Sequence, residues 1–120
     1  MNEKLSRNFT RSELQCPCCS KCLMCPAFID RLQVFRDIYG KPLIVVSGFR
    51  CEEHNAEVGG SLNSDHLYGK AVDLRVHDKA SADLYRLREL AFRLHFNGIG
   101  IGKNQLHLGL RKGEAKTWSY

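Results

Sequence analysis

Ser64-Asp65-His66-Leu67-Tyr68-Gly69-Lys70-Ala71-Val72-Asp73-Leu74-Arg75-Val76 passes from a loop into a strand. Its second half alternates, with Val72, Leu74 and Val76 on one face and Ala71, Asp73 and Arg75 on the other. Gly69 permits a sharp turn and Ala71 leaves room beside it, so a loop histidine, His66, and a strand carboxylate, Asp73, can converge on one ion. A later run, Gln105–Arg111, repeats the alternation, with Leu106, Leu108 and Leu110 on one side and Gln105, His107 and Gly109 on the other. Any one histidine on a strand is more often a hydrogen-bonded structural residue than a ligand. Here Asp73 and His107 both occupy polar faces of strands whose opposite faces are aliphatic, an arrangement that His54, His77 and His95 lack. Two imidazoles and a carboxylate suit a catalytic zinc ion, which takes three protein ligands and keeps a fourth position for water.

Working outward, Pro26–Tyr39 carries Phe28, Leu32, Phe35 and Ile38 at helical spacing, with Pro26 at its start and Gly40 past its end. Pro42-Leu43-Ile44-Val45-Val46 reads as a buried strand ending at Ser47-Gly48. Arg50–Ser64 reads as a loop, after one short helix at Glu52–Glu57. Ser81 is a candidate N-cap for a second helix, striped by Leu84, Leu87, Leu90, Ala91 and Leu94 and ending near Asn97-Gly98. Gly98–Ile101 and Gln105–Arg111 read as strands. Residues 1–25 read as an irregular cysteine-rich N-terminal arm, with one helical turn within Asn8–Leu14. Two long helices and several strands without βαβ alternation predict an α+β fold, a small, mostly antiparallel sheet flanked by helices.

A length of 120 residues fits a single domain, 1–120. With 43% hydrophobic and 26% charged residues, the composition excludes collagen-like and strongly disordered chains. The longest apolar run, Leu43–Val46, is far short of the roughly 18 residues that span a bilayer, so no membrane insertion is expected. The polar start Met1–Arg7 shows no signal peptide, which predicts synthesis in a cytoplasm and export by another route. The net charge of +5 is spread thinly over Arg86, Arg88, Arg93, Lys103, Arg111, Lys112 and Lys116. No Arg-rich recognition helix, aromatic interleaving or zinc-finger spacing accompanies it, which argues against nucleic acid as a partner. Five of the six cysteines, Cys16, Cys18, Cys19, Cys22 and Cys25, fall within ten residues, and the sixth is Cys51. A structural zinc, a disulfide staple to Cys51 and free thiols all remain open, whereas the spacing fits an iron–sulfur run poorly.

Taken together, Ser47-Gly48-Phe49-Arg50, Asn55, Gly59-Gly60, Ser64-x-His66-x-x-Gly69-x-Ala71-x-Asp73 and Gln105-Leu106-His107-Leu108 resemble the zinc D-Ala-D-Ala carboxypeptidase family of bacteria and phages. Related to that family are the L-alanyl-D-glutamate endolysins and the hedgehog domain. The resemblance runs from about Phe9 to Arg111, and Asn8-Phe9-Thr10 followed by Cys-x-Cys-Cys is similar to the opening of short phage-type members. It implies a hedgehog/D,D-peptidase-like fold in which His66, Asp73 and His107 bind Zn2+. It further implies that Arg50 pairs with a substrate carboxylate, that Ser64 hydrogen-bonds the peptide near the metal, and that Gly59-Gly60 borders the cleft. For Arg50 the competing reading is a surface ion pair with Glu52, Glu53 or Glu57.

The sequence departs from that family at one point. Members usually carry a carboxylate just upstream of the last zinc histidine or two residues beyond it. Here Asn104 and Gln105 precede His107, and Gly109 follows. The acids that a fold could bring close instead are Asp65, Glu57 and Glu114. The resemblance therefore implies a monomeric zinc metallopeptidase acting on peptidoglycan stem peptides, as a D,D-carboxypeptidase or related endopeptidase, and reaching the wall after lysis or phage assembly. The alternative is a zinc-containing peptide-binding module of the same fold with little hydrolytic activity.

Overall fold

The structure, a computed structural model, describes residues 3–76 and 81–120, with side chains from Leu84 onward in the second stretch. His77 and the Ser81 cap lie outside the described side chains. In chain order the elements are β1 (Lys4–Ser6), β2 (Phe9–Thr10), α1 (Arg11–Leu14), α2 (Pro26–Tyr39), β3 (Leu43–Ser47) and α3 (Glu52–Glu57). A 3-10 turn (Asp65–Tyr68) follows, then β4 (Ala71–Val76), α4 (Ser81–Arg93), β5 (Gly98–Gly102), β6 (Gln105–Gly109) and β7 (Lys116–Ser119). The fold is α+β, with a five-stranded sheet ordered β3-β4-β6-β5-β7 and a separate β1-β2 hairpin. All pairings are antiparallel except β5 with β7. No helix among the described residues is long and apolar enough to cross a membrane.

Helix α2 begins on Pro26 and ends on Gly40, whose φ of 75° lets its N–H reach the Arg36 carbonyl. Its buried stripe is Phe28, Ile29, Leu32 and Phe35, while Ile38 is exposed. Helix α4 buries Leu87 and Ala91. It stops at Arg93, earlier than the Asn97-Gly98 signal predicts, because His95 takes φ 65° and turns the chain first. Phe96 then fills the space between the helices and the sheet, meeting Phe28 and Phe35 edge-on at 5.9 Å. Val72, Leu74, Ile99, Leu106 and Leu108 supply the sheet side of this apolar layer. Because side chains alternate across a strand, the same strands turn Asp73 and His107 to the opposite face.

Three expectations change. The arm is not irregular in its first half: the Gln33 carboxamide on α2 accepts from Ser6 Oγ at 2.7 Å and from the Asn8 amide at 2.9 Å. These bonds hold the β1-β2 hairpin against α2. Strand β3 is a sheet edge rather than a buried strand, and Ile44 and Val46 are exposed on its outer face. Strand β7 continues the sheet beyond Arg111, where its short Lys116-Thr117-Trp118-Ser119 run gives too little alternation to read.

Candidate metal centre

Cross-strand register sets the site. Asp73 on β4 stands directly opposite His107 on β6, and His107 stands opposite Gly100 on β5. On the other side of β4 a register shift in β3 places Ser47 opposite Asp73. An irregularity of this kind re-aims the chain that follows it. Ser47-Gly48-Phe49-Arg50 thus leaves the sheet alongside Asp73. Gly48 is required there by close approach: a Cβ on it would lie 2.6 Å from the Leu14 carbonyl oxygen at the end of α1.

His66 comes from the 3-10 turn. The Ser64 hydroxyl accepts the His66 amide at 3.2 Å, and Gly69, at φ 66°, ends the turn. Gly69 also lies against the backbone of Leu23 and Met24, and its carbonyl accepts the Cys25 amide at 2.9 Å. The glycine read as a turn residue is therefore also a packing point for the arm. The His66 ring is buried, and its Nδ1 lies 2.7 Å from the Gly48 carbonyl oxygen. A carbonyl can only accept, so the proton belongs on Nδ1 and the Nε2 lone pair is directed at Asp73. His66 Nε2 sits 3.3 Å from Asp73 Oδ2 and is a buried polar atom with no hydrogen-bond partner among the described residues.

Asp73 receives His107 Nδ1 on Oδ1 at 2.8 Å and Arg50 Nη2 on Oδ2 at 3.2 Å. Burial pushes its carboxyl upward. The hydrogen bond from His107 and the adjacent His66 ring outweigh that and hold it well below the usual carboxylate range. Asp73 is thus an anion at neutral pH. The candidate donor atoms of His66, Asp73 and His107 all lie within 4.8 Å of one another. Tetrahedral ligands about 2.0–2.1 Å from a zinc ion stand about 3.3 Å apart, which is the His66–Asp73 separation. A lone pair facing a carboxylate oxygen is repulsive, and a cation between them removes the repulsion. The residues fit a metal ion, and Asp73 and His107 retain some exposure to solvent.

Arg50 meets none of the glutamates suggested for it. Its Nε donates to Ser47 Oγ at 3.2 Å, its Nη1 to Asn55 Oδ1 at 3.1 Å and its Nη2 to Asp73. The Arg50 side chain is 13% exposed and braces the carboxylate, and the two residues line one cavity of about 510 Å³. Gly60 backs this bracing, since any side chain on it would run into Asn55 and Arg50. Ser64 serves as the cap of the 3-10 turn. Of the three acids, Glu57 is exposed beside His54 and Glu114 is exposed between β6 and β7. Asp65 is the one that the fold brings close: a Cβ on Gly109 would lie 3.2 Å from His107 Nε2 and 3.6 Å from Asp65 Oδ2. Burial raises the Asp65 carboxyl, against the opposing charges of His107, Arg111, His66 and Lys70.

The chain matches the model of the family described as Peptidase M15 over residues 7–109. It belongs to the peptidase M15 family. A relative, the zinc D-Ala-D-Ala carboxypeptidase of Streptomyces albus G, is 32% identical over 90 residues, which cover 74% of this chain and 35% of that protein. The chain thus matches about a third of the length of that relative. The matched family region contains His66, Asp73, His107 and Arg50 but stops short of β7. Beyond it, Trp118 lays its ring 4.9 Å from that of His107 and forms a wall of the site. Sequence reading missed this residue, and the one available signal was that it is the only tryptophan in the chain.

Proposed function

We propose that this chain is a zinc metallopeptidase that hydrolyses an amide bond in a peptidoglycan stem peptide, as a D,D-carboxypeptidase or a related endopeptidase. The observation that carries the reading is the convergence of His66 Nε2, the ionised Asp73 and His107, with the buried lone pair of His66 left without a hydrogen-bond partner among the described residues. His66, Asp73 and His107 would hold the zinc ion, which supplies Lewis-acid polarisation of the scissile carbonyl and a bound water acidified toward neutrality.

The chain's own residues do the rest. Gly48 fixes the His66 tautomer, and Arg50 fixes the orientation of Asp73, an outer layer of the kind that tunes metal ligands. Asp65 replaces the carboxylate missing from the His107 strand and exchanges a proton with the leaving amine from the neighbouring turn. A groove of about 1210 Å³, lined by Asp65, Tyr68, Lys70, Asn97, Arg111 and Lys112, runs from this side. Its cations suit the carboxylates of a stem peptide, a role the resemblance gives to Arg50. The test is metal analysis of the purified protein together with mass spectrometry of digested peptidoglycan. One zinc at this site, lost in His66→Ala, and released D-alanine or new amines are expected. Loaded protein that binds the peptide without cleaving it would overturn the enzymatic reading.

A further inference from the structure

We propose that Cys16, Cys18 and Cys51 bind a second, structural zinc ion. Cys51 Sγ lies 3.6 Å from Cys16 Sγ and 3.7 Å from Cys18 Sγ, and the three sulfurs converge within 4.8 Å of one another. Sulfurs about 2.3 Å from a tetrahedral zinc stand about 3.8 Å apart, close to what is seen. A disulfide requires about 2.05 Å and joins only two sulfurs, whereas Cys51 is placed almost equally between two partners. Cys22 and Cys25 pack instead against the apolar layer.

The backbone is arranged for a sulfur anion. Cys16 is buried, and its Sγ accepts the Cys51 amide at 3.5 Å. Cys51 Sγ accepts the His54 amide at 3.4 Å and so caps α3. The loop between them closes on itself, Cys16 N–H to the Lys21 carbonyl and Ser20 N–H to the Cys16 carbonyl, with Ser20 at φ 63°. Apart from Cys16 the loop is exposed, so apolar burial does not account for its closure, and a metal cross-link does. Three thiols binding Zn2+ release three protons to solvent and leave a singly negative centre. Arg11, whose guanidinium donates to the Ser20 carbonyl at 3.3 Å, stands next to that charge.

The site has a purpose in this fold. Cys51 follows Arg50 directly, so the ion would tie the N-terminal arm to the segment that braces Asp73. The assignment stands on the sulfurs alone and survives if the peptidase reading fails. It is tested on the full chain, kept reduced, by zinc content and by replacement with Co2+. Wild type should hold two zinc ions per chain, and the cobalt form should show an intense near-ultraviolet thiolate-to-cobalt band. Cys51→Ser should lose one zinc and the band. His66→Ala should lose one zinc and keep the band, and Cys22→Ser should lose neither. The wild-type measurements need no variant to fold. A single zinc and no thiolate band in wild type, or a Cys16–Cys51 disulfide in its peptide map, would overturn the proposal.

Discussion

Arg50→Lys separates the two roles open to this cation. Lysine keeps the charge but presents one nitrogen where the guanidinium reaches three oxygens, those of Ser47, Asn55 and Asp73, at 3.1–3.2 Å. If the ammonium follows the carboxylate, the bonds to Ser47 and Asn55 are lost. Asn55 is 3% exposed, so its Oδ1 is left without a partner or water. Two bonds from a charged donor carry about 1.5–3 kcal/mol each, and with Ser47 free to turn to water the net loss is at least about 2 kcal/mol. For a chain of this length that lowers Tm by about 8 °C. Because charge is conserved, any change in zinc affinity reports the orientation of Asp73 rather than the field at the ion. An outer-layer defect of this kind weakens metal binding by about 10-fold. The assay is urea unfolding of the chelated protein, paired with zinc competition titration. A stability loss under about 0.5 kcal/mol with unchanged zinc affinity would refute the bracing role and return Arg50 to the surface.

Other consequences are sharper in sign than in size. Asp65→Asn should lower turnover by about 10²–10⁴ at constant zinc content, as read from amine release, if Asp65 handles the leaving-group proton. Gly69→Ala should cost more than the roughly 1–2 kcal/mol of a left-handed residue, because its methyl also meets the Leu23 and Met24 backbone, and thermal unfolding followed by circular dichroism will show it. Trp118→Ala removes an aromatic contact with His107 worth about 1 kcal/mol, so urea unfolding should show a stability loss of about that size with zinc retained.

The candidate metal site was legible because it depends on period. Alternation over Ala71–Val76 and Gln105–Arg111 says which side chains share a face, and antiparallel pairing does the rest by setting Asp73 opposite His107. The long helices were legible for the same reason, each with its apolar stripe. The hairpin at Lys4–Thr10 was not, since it is held by one buried glutamine twenty-five residues away rather than by any pattern of its own.

Arg50 shows where sequence reading runs out. Adjacent glutamates at 52, 53 and 57 offered the nearest partners in the chain, and a substrate carboxylate offered the most functional one. The guanidinium meets none of these glutamates, because the register shift in β3 swings Ser47–Arg50 toward β4, and a shift of one position is invisible to composition and spacing. Its partner Asp73 is twenty-three residues on. The same displacement delivers the Gly48 carbonyl to His66, which decides the tautomer and therefore which nitrogen can bind a metal. One irregularity in an edge strand thus orients two of the three candidate ligands. Straightening β3 would be expected to disable the centre while leaving every ligand in place in the sequence.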